Sequence, residues 1–372
     1  MKFLNKQLAQ EIVDRTMAII GHNINVMNDK GVIIGSGDIE RIDDFHEGAL
    51  LVIDTKEGIE VNEQNRGMLH GVKPGINLPI TFEKEVVGVV GITGPPDEIR
   101  SFGELIKMTA EIILQQAVLM DQVRWDERLK EEIVSQMIHA EVKPDALFFE
   151  RAKRISIDIH IPRVALLIKS TDCLAVLNLI KDSFDQNDLF LMQSDAVLIL
   201  KKIHLKNELW NREETLHTAV KWLKLLQKMK EPARIGIGDY QAGLVGISKS
   251  YFQARATAEV GIKLDPLKLI YLFEDYRLPV FLLDAAQNGI EQKLTPYYAE
   301  ITKHDKKGEL IETLQAYIEE NGEINTVSQK LFIHRNTLRY RLDRITEITG
   351  KDPRKVKDLL DLYLALLYSK IH

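Results

Sequence analysis

The spacing of apolar and polar residues changes several times along this chain, and each change predicts a different kind of element. The opening "MKFLNKQLAQEIVDR" has the spacing of an amphipathic helix. In "HNINVMNDKGVIIGSGD" two short strand-like runs are separated by Asn-Asp-Lys-Gly, a hairpin signal. A second pair of runs, "GINLPITFEKEVVGVVGITGPP", is joined at Phe82-Glu83-Lys84-Glu85. Gly88 and Gly91 predict a bend or a close backbone approach in the last of these strands. Between the two hairpins, "FHEGALLVIDTKEGIEVNEQNRGMLHGV" is irregular and reads as short helices. Hairpin, short helices, hairpin is the order of a small α+β sensor domain with one face of its sheet open to a ligand.

From Asp97, a candidate N-cap after Pro95-Pro96, helical spacing runs for about forty residues and ends near Pro144. Ile99, Phe102, Ile106, Ile113, Met120 and Val123 form its apolar stripe, interrupted by Thr109 and Gln116. Such a stripe fits a coiled-coil dimer seam. It also fits, for its first half, a helix packed on its own domain.

Residues 145–276 alternate. "RVALLIKS", "DLFLMQSD", "AVLILKKI", "ARIGIGDY" and "LIYLFED" read as strands, while "DCLAVLNLIKDSF", "ETLHTAVKWLKLLQKM" and "SYFQARATAEVGIKL" read as helices. That order, with a hairpin in its middle, predicts a ferredoxin-like or nucleotide-cyclase-like α/β domain. After Pro279 the pattern is helical to the end.

Composition narrows the class. With 372 residues, 45% hydrophobic and 28% charged, the chain is a folded protein of two or three domains. A single cysteine, Cys173, excludes an internal disulfide and a cysteine-rich zinc site, and fits a reducing compartment. The charged N-terminus lacks the apolar run of a secretory signal, and no stretch has the length to span a bilayer. The expected location is cytoplasmic.

Charge carries the sharpest signal. The protein has a formal net charge of −6, yet nine lysines and arginines fall between Lys330 and Lys357 against three acids, Asp343, Glu347 and Asp352. In "LFIHRNTLRYRLDRI" the arginines alternate with Leu338, Leu342 and Ile345, which share one helix face by their spacing. Upstream, "GELIETLQAYIEENGEINTVSQKL" holds an amphipathic helix stopped by Asn321-Gly322, then a short helix leading through Phe332-Ile333 into the basic one. Short helix, tight turn, basic helix is the order of a helix-turn-helix spanning about residues 323–346. A solvated basic helix is the plain alternative, but pattern, turn and charge all agree on a phosphate-facing surface.

The segment "TVSQKLFIHRNTLRYRLDRITEITGKDP" resembles the C-terminal helix-turn-helix of the purine-catabolism and sugar-diacid regulator families. That resemblance implies double-stranded DNA as a partner, contacted by His334, Arg335, Asn336, Thr337, Arg339, Tyr340 and Arg344. Arg341, beside the buried stripe, could equally hold a structural ion pair. The segment "GIGDYQAGLVGISKSYFQARATAEVG" is similar to the degenerate cyclase-like (GGDEF-like) domain of the same regulators. A working cyclase carries Gly-Gly-Asp/Glu-Glu-Phe at its central hairpin, where carboxylates hold Mg²⁺. Here the hairpin reads Met192, Gln193, Ser194, Asp195, and Lys169 and Ser170 lie where a metal-binding Asp is expected. Catalysis is therefore not expected, nor any metal or cofactor. The lone Gly-x-Gly of "RIGIGDY" is weak evidence for phosphate binding.

The runs "SGDIERIDDFHEGAL" and "PGINLPITFEKEVVGVVGITGPPDEIRSFGELIKMTAEI" resemble the recognition domain of carbohydrate diacid regulators. This implies a transcription factor, expected to be an activator, that answers to a small sugar acid such as glycerate, glucarate or galactarate. A carboxylate pocket needs cationic, imidazole, hydroxyl and amide donors, because charge-assisted bonds to a desolvated anion are strong. The candidates are Ser36, Arg41, His46, Arg66, His70, Lys73, Asn77 and Thr93, with Arg41 and His46 favoured. "RIDDFHEG" is similar to the arginine and histidine placement in citrate-sensing PAS-like domains. Against that, Arg41 could pair with Asp43 or Asp44, and His46 could cap a helix.

The expected fold is thus multidomain α+β. Residues 1–140 form a PAS-like sensor with a long helix, 141–278 a degenerate GGDEF-like α/β domain, and 279–372 a helical domain with the helix-turn-helix. The expected assembly is a homodimer or higher homo-oligomer with no membrane partner. Two rivals remain: a nucleotide-binding or nucleotide-cyclising protein using the middle domain, and a DNA-binding protein controlled by a partner or by phosphorylation.

Overall fold

The computed structural model describes residues 4–62, 72–139, 145–207, 209–286 and 291–372. The chain divides into two compact units, Met1–Arg128 and Leu129–His372.

In the first unit, α1 (Lys6–Ile20) starts where the Asn5 side chain accepts a bond from the Leu8 amide at 2.9 Å, and stops at Gly21 in the left-handed region. Both hairpins form: β1 (Ile24–Asn28) with β2 (Ile33–Ser36), and, beyond α2 (Glu47–Thr55) and β3 (Ile59–Val61), β4 (Gly75–Phe82) with β5 (Glu85–Thr93). The second turn is tighter than expected. Only Glu83 and Lys84 lie between the strands, at φ 48° and 72°, because a two-residue loop with both centres left-handed matches strand twist. Strand β3, unforeseen in the irregular stretch, pairs with β4 and completes an antiparallel sheet of order β2-β1-β5-β4-β3.

One sheet face, with Ile24, Val26, Ile76, Leu78, Val90 and Ile92, packs on α1 and on the first half of α3 (Pro96–Ile138). The other face places Met27, Ile33 and Val89 against Ala49 and Val52 of α2. Helix α3 starts one residue before the expected cap. Pro96 takes its first position, where a missing N–H costs nothing, and Asp97 sits in the first turn within 3.2 Å of Arg100. The expected stripe splits: Ile99, Ile106 and Ile113 are buried in this unit's core, whereas Phe102, Met120 and Val123 are exposed.

In the second unit, α4 (Ala146–Arg154) leads into a five-stranded sheet of order β12-β11-β6-β8-β7. Its strands are β6 (Arg163–Lys169), β7 (Leu189–Met192), β8 (Ala196–Lys202), β11 (Arg234–Ile237) and β12 (Ile270–Leu272). Only β11 and β12 pair parallel. A small ribbon, β9 (Leu205–Lys206) with β10 (Leu209–Trp210), escaped the sequence reading. Helices α5 (Cys173–Ile180) and α6 (Arg212–Leu226) cover one face. Helix α7 (Gly243–Leu264), α4 and the last turns of α3 cover the other. The Gly-x-Gly of β11 belongs to this packing. A Cβ on Gly236 would lie 2.2 Å from Ala254 O, and one on Gly238 2.0 Å from Ser250 O, so the glycines let α7 lie directly on the strand.

Helices α8 (Arg277–Ala285), α9 (Glu291–His304), α10 (Glu309–Glu319), α11 (Ile324–Lys330), α12 (Arg335–Thr349) and α13 (Val356–Ile371) follow. Helix α13 returns to the middle domain: Leu367, Tyr368 and Ile371 share a core with Ala256 and Val260 of α7. Among the described residues no helix is long and apolar enough to cross a membrane. Arg66, His70 and Pro144 lie outside the described residues.

Candidate functional site

Two groups of polar residues stand out, one in each unit. In the second unit, α11 and α12 are joined by a turn in which Phe332 adopts a left-handed φ of 54° and the Ile333 amide donates to Ser328 O at 3.0 Å. Leu338, Leu342 and Ile345 are fully buried, against Val327 and Tyr317 on one side and Leu310, Leu314 and Leu362 on the other. Burial of such side chains contributes about 1.5–3 kcal/mol each, so they hold the helix in place. The 3.6-residue period then turns His334, Arg335, Asn336, Thr337, Arg339 and Tyr340 outward, and all six are exposed.

The basic cluster is less free than its sequence implies. Lys330 pairs with Glu319 and Glu320, Arg344 with Glu347, Lys351 with Asp361, and Arg354 with Asp343 and Asp352. Arg341 has a side chain only 14% exposed, 3.2 Å from Glu309 and 3.3 Å from the Thr313 hydroxyl, and so holds the structural pair foreseen as one alternative. Arg335 and Arg339 have no ion pair among the described residues and sit at the N-terminal half of α12. His334 caps that helix, its Nδ1 accepting from the Asn336 amide at 3.3 Å. A surface with two unpaired guanidiniums, an amide, a hydroxyl and a phenol, at a helix N-terminus, suits phosphates and base edges.

At the middle hairpin, Lys169 Nζ lies 2.7 Å from Asp195 Oδ2, and this bond holds the carboxyl below its usual range. The Gln193 amide donates to the Tyr251 hydroxyl at 2.8 Å. The Asp195 carboxylate is thus engaged by an ammonium group. No cluster of metal ligands exists among the described residues.

The first unit buries its polar groups. On the α2-facing side of the sheet, the register lines up Ser36, Asn25, Gly91 and Asn77 as neighbours on four adjacent strands. Ser36, Asn25 and Asn77 are at most 3% exposed. The Ser36 hydroxyl donates to Asn25 Oδ1 at 2.6 Å and accepts from the Asp38 amide at 3.0 Å. Gly91 keeps the row open in its middle, since a Cβ there would lie 2.6 Å from Asn77 Oδ1. Thr93 follows on the same face, half-buried.

His46 is the residue before α2 and is 4% exposed, yet its side chain makes no capping bond. Its backbone is fixed, the amide donating to Gly31 O at 2.8 Å. The ring and the Asn77 amide converge on the first turn of α2: a Cβ on Gly48 would lie 3.2 Å from His46 Cε1 and 3.4 Å from Asn77 Nδ2. His46 Nδ1 is buried with no hydrogen-bond partner among the described residues. Burial, and then the charge of Arg41, holds the imidazole down to about 4, so it is neutral at pH 7. Arg41 is half-buried at the end of a short 3₁₀ turn, Ile39–Arg41, while Asp43 pairs with Lys6 at 2.6 Å. Lys73 lies at the edge, 3.6 Å from Asp38.

The structure therefore brings Ser36, His46 and Asn77 to one buried face, with Arg41 in electrostatic reach of His46. Lys73 is peripheral. Asn25 was missed, and Gly91 was noted only for backbone approach. The available signal was interruption: Asn25 and Gly91 break otherwise apolar strands with residues that strands disfavour.

Three family models match this chain: sugar diacid recognition over residues 4–137, a GGDEF-like domain over 140–260, and the PucR C-terminal helix-turn-helix domain over 310–368. The chain is similar to the carbohydrate diacid regulator of Escherichia coli K12, 38% identical over 98% of this chain and 97% of that protein. It is 34% identical to an uncharacterized protein of Haemophilus influenzae, over 98% of this chain and 99% of the other. The proline-responsive transcriptional activator PutR of Bacillus subtilis is 30% identical over 39% of this chain and 36% of its own length.

Proposed function

The chain belongs to the carbohydrate diacid regulator family, a family of DNA-binding transcription regulators, and from that premise we propose that it is a sugar-acid-responsive activator. Its effector is a small sugar acid or dicarboxylate such as glycerate, glucarate or galactarate, whose uptake or catabolism it controls in the cytoplasm. The carrying observation is the buried His46 Nδ1, without a hydrogen-bond partner among the described residues, beside a row of polar side chains interrupted by Gly91. An unpaired buried polar atom costs about 1–3 kcal/mol, and a ligand that supplies the missing bond recovers it.

In this reading residues 1–140 are a PAS-like sensor, a description that the five-stranded antiparallel sheet with helices on both faces supports. Arg41 and His46 meet a carboxylate at the start of α2, where the helix dipole also favours an anion. Ser36, Asn77 and Thr93 meet hydroxyls, and Lys73 closes the edge. Residues 141–278 keep the cyclase-like fold without its chemistry, with Lys169 paired to Asp195 at the central hairpin. Residues 279–372 carry the reader, with His334, Arg335, Asn336, Thr337, Arg339, Tyr340 and Arg344 on DNA. The protein acts as a homodimer, so that two reading helices fit half-sites one turn apart, ~34 Å.

Signal leaves the polar row through β5. Gly91 lies in the polar row, and the same strand runs through Gly94 and Pro95 into α3. A ligand seated on Gly91 shifts the strand Val86–Thr93 and with it the helix that follows. It does so only if it binds the two arrangements with different affinity.

The test is a thermal-shift panel on the full chain with glycerate, glucarate, galactarate, tartrate, malate and citrate. A ligand that binds only the folded state raises its melting point. One acid is expected to raise it with concentration and to change operator affinity, and both responses should vanish in Arg41→Ala while DNA binding persists. Silence across the panel, with equal DNA affinity in its presence and absence, would sink the effector reading and leave the DNA reader standing.

A further inference from the structure

Helix α3 has two apolar faces, and only one of them is spent on its own domain. Ile99, Ile106, Ala110, Ile113 and Leu114 are buried in the first unit's core. Around the helix from these, Phe102, Leu105, Ile112, Leu119 and Val123 stand 38–62% exposed. With Thr109 and Gln116 they occupy 102, 105, 109, 112, 116, 119 and 123, which is a continuous alternation of three- and four-residue steps. That is the heptad spacing of a two-helix seam rather than the broader stripe of a helix lying on a sheet.

Charge says what covers it. Between 101 and 123 the charged residues are Glu104, Lys107, Glu111 and Asp121, and none of them flanks the stripe. The neighbouring positions are Ser101, Met108, Gln115 and Gln122 on one side and Met120 on the other, where Ile106 and Ile113 are already buried. Two identical faces can therefore meet without like-charge repulsion, and a foreign partner would find no charge pattern by which to be selected. Covering these side chains on both copies removes on the order of 600 Å² per copy, close to the ~800 Å² per partner of a specific interface.

We infer that the outward face of α3 from Phe102 to Val123 is the homodimer seam, a parallel, in-register two-helix coiled coil with a second copy of this chain, in which each Gln116 faces its counterpart. The inference rests on the dimeric reading above and gives it a surface. Parallel order follows from chain direction, since both copies then leave the seam toward their C-terminal readers from the same end. Thr109 and Gln116 are polar layers. Thr109 returns its hydroxyl to Leu105 O at 2.8 Å, whereas Gln116 is free to bond across the axis and set the register at a cost in seam stability.

Three variants of the full chain test it. Gln116→Cys should cross-link into a dimer on mild oxidation, because each seam residue of a parallel, in-register pair faces its own counterpart, while Asp121→Cys on the outer side should not. The chain's single cysteine, Cys173, is buried and does not compete. Ile112→Asp should sediment as a monomer with unchanged far-ultraviolet circular dichroism, since the position is already half-exposed. A wild-type dimer that survives Ile112→Asp, or that fails to cross-link at Gln116→Cys, overturns the seam and leaves the dimeric reading intact. A wild-type chain that sediments as a monomer overturns both.

Discussion

The reading helix α12 carries its polar groups on the outside of a fold that stands without them, whereas the first sheet carries its polar groups inside the fold. On α12, Leu338, Leu342 and Ile345 do the docking, and Arg335 and Arg339 contact no acid among the described residues. In the sheet and at the start of α2, Asn25, Ser36, Asn77 and His46 are buried. The contrast implies that binding and stability are separable in the reader and coupled in the sensor.

The largest effect is expected where the separation is cleanest. Replacing Arg335 and Arg339 together by Ala should weaken DNA binding by roughly 2–6 kcal/mol per half-site and reduce the salt slope by about 2 per half-site, as expected for two lost contacts on each reading helix. Melting temperature should not move, because neither side chain is packed. Fluorescence anisotropy with a labelled duplex across a salt series, beside a thermal melt, reads both. A drop in melting temperature comparable to that of a core substitution would break the comparison.

The sensor should behave in the opposite way. His46 titrates at about 4 in the folded chain against an ordinary 6.5. The unfolded chain therefore binds the proton first, and folding stability falls as pH drops from about 6.5 to 4, by roughly 2–3 kcal/mol. Below both values the dependence on this group ends. His46→Gln should remove that part of the slope, measurable as the difference between wild-type and variant denaturant midpoints at pH 7 and pH 4.5. A carboxylate ligand next to the ring raises its pKa, so acid binding should also tighten from pH 7 toward pH 5. Identical profiles for the two proteins would show that His46 is not the buried neutral group its surroundings make it.

The same contrast explains what could be read from the sequence. The reader is contiguous: its docking leucines, its turn and its exposed arginines all fall within "LFIHRNTLRYRLDRI", where the helical period alone sorts inward from outward. Both hairpins and the five strands of the middle sheet were legible for the same reason, being local. The sensor row is not local. Ser36, Asn25, Gly91 and Asn77 become neighbours only through strand register, and register is set by pairing across as many as 66 residues, as between Asn25 and Gly91. Strand β3 was hidden because three residues are too few to show a period. The charge count around α12 overstated the free cations, since the partners Glu309, Glu319, Glu320, Asp358 and Asp361 lie outside the counted stretch.

Within α12 itself, Arg341 offers a sharper comparison, two residues from Arg339 but turned toward the body of the domain. Arg341→Ala removes the bond to Thr313 and the pair with Glu309, together with the packing of a long aliphatic stem. The expected loss is about 1–2 kcal/mol of stability, moderated by the solvent around Glu309. DNA affinity measured well below the melting temperature should stay within twofold of wild type. The Arg339→Ala single variant should show the reverse, and finding both arginines alike in either assay would remove the distinction between the two faces.

The smallest effect concerns the turn. Phe332 holds a left-handed backbone at φ 54° with its ring 96% exposed, so the residue bears conformational strain and gains no packing in return. The turn needs that backbone: the Phe332 amide donates to Gln329 O at 3.1 Å and the next amide to Ser328 O, which closes α11 before α12 begins. Glycine adopts the same φ without a Cβ clash, at the cost of a more flexible unfolded chain. Phe332→Gly should therefore stabilise the chain by about 0.5–1 kcal/mol, a rise of a few degrees at most, with DNA affinity unchanged. Phe332→Ala keeps the strain and should leave both values where they were. If the glycine variant instead gains stability and loses DNA affinity, the ring is a contact of the reading surface, and the separation between holding the fold and touching DNA fails at the one residue that joins the two helices.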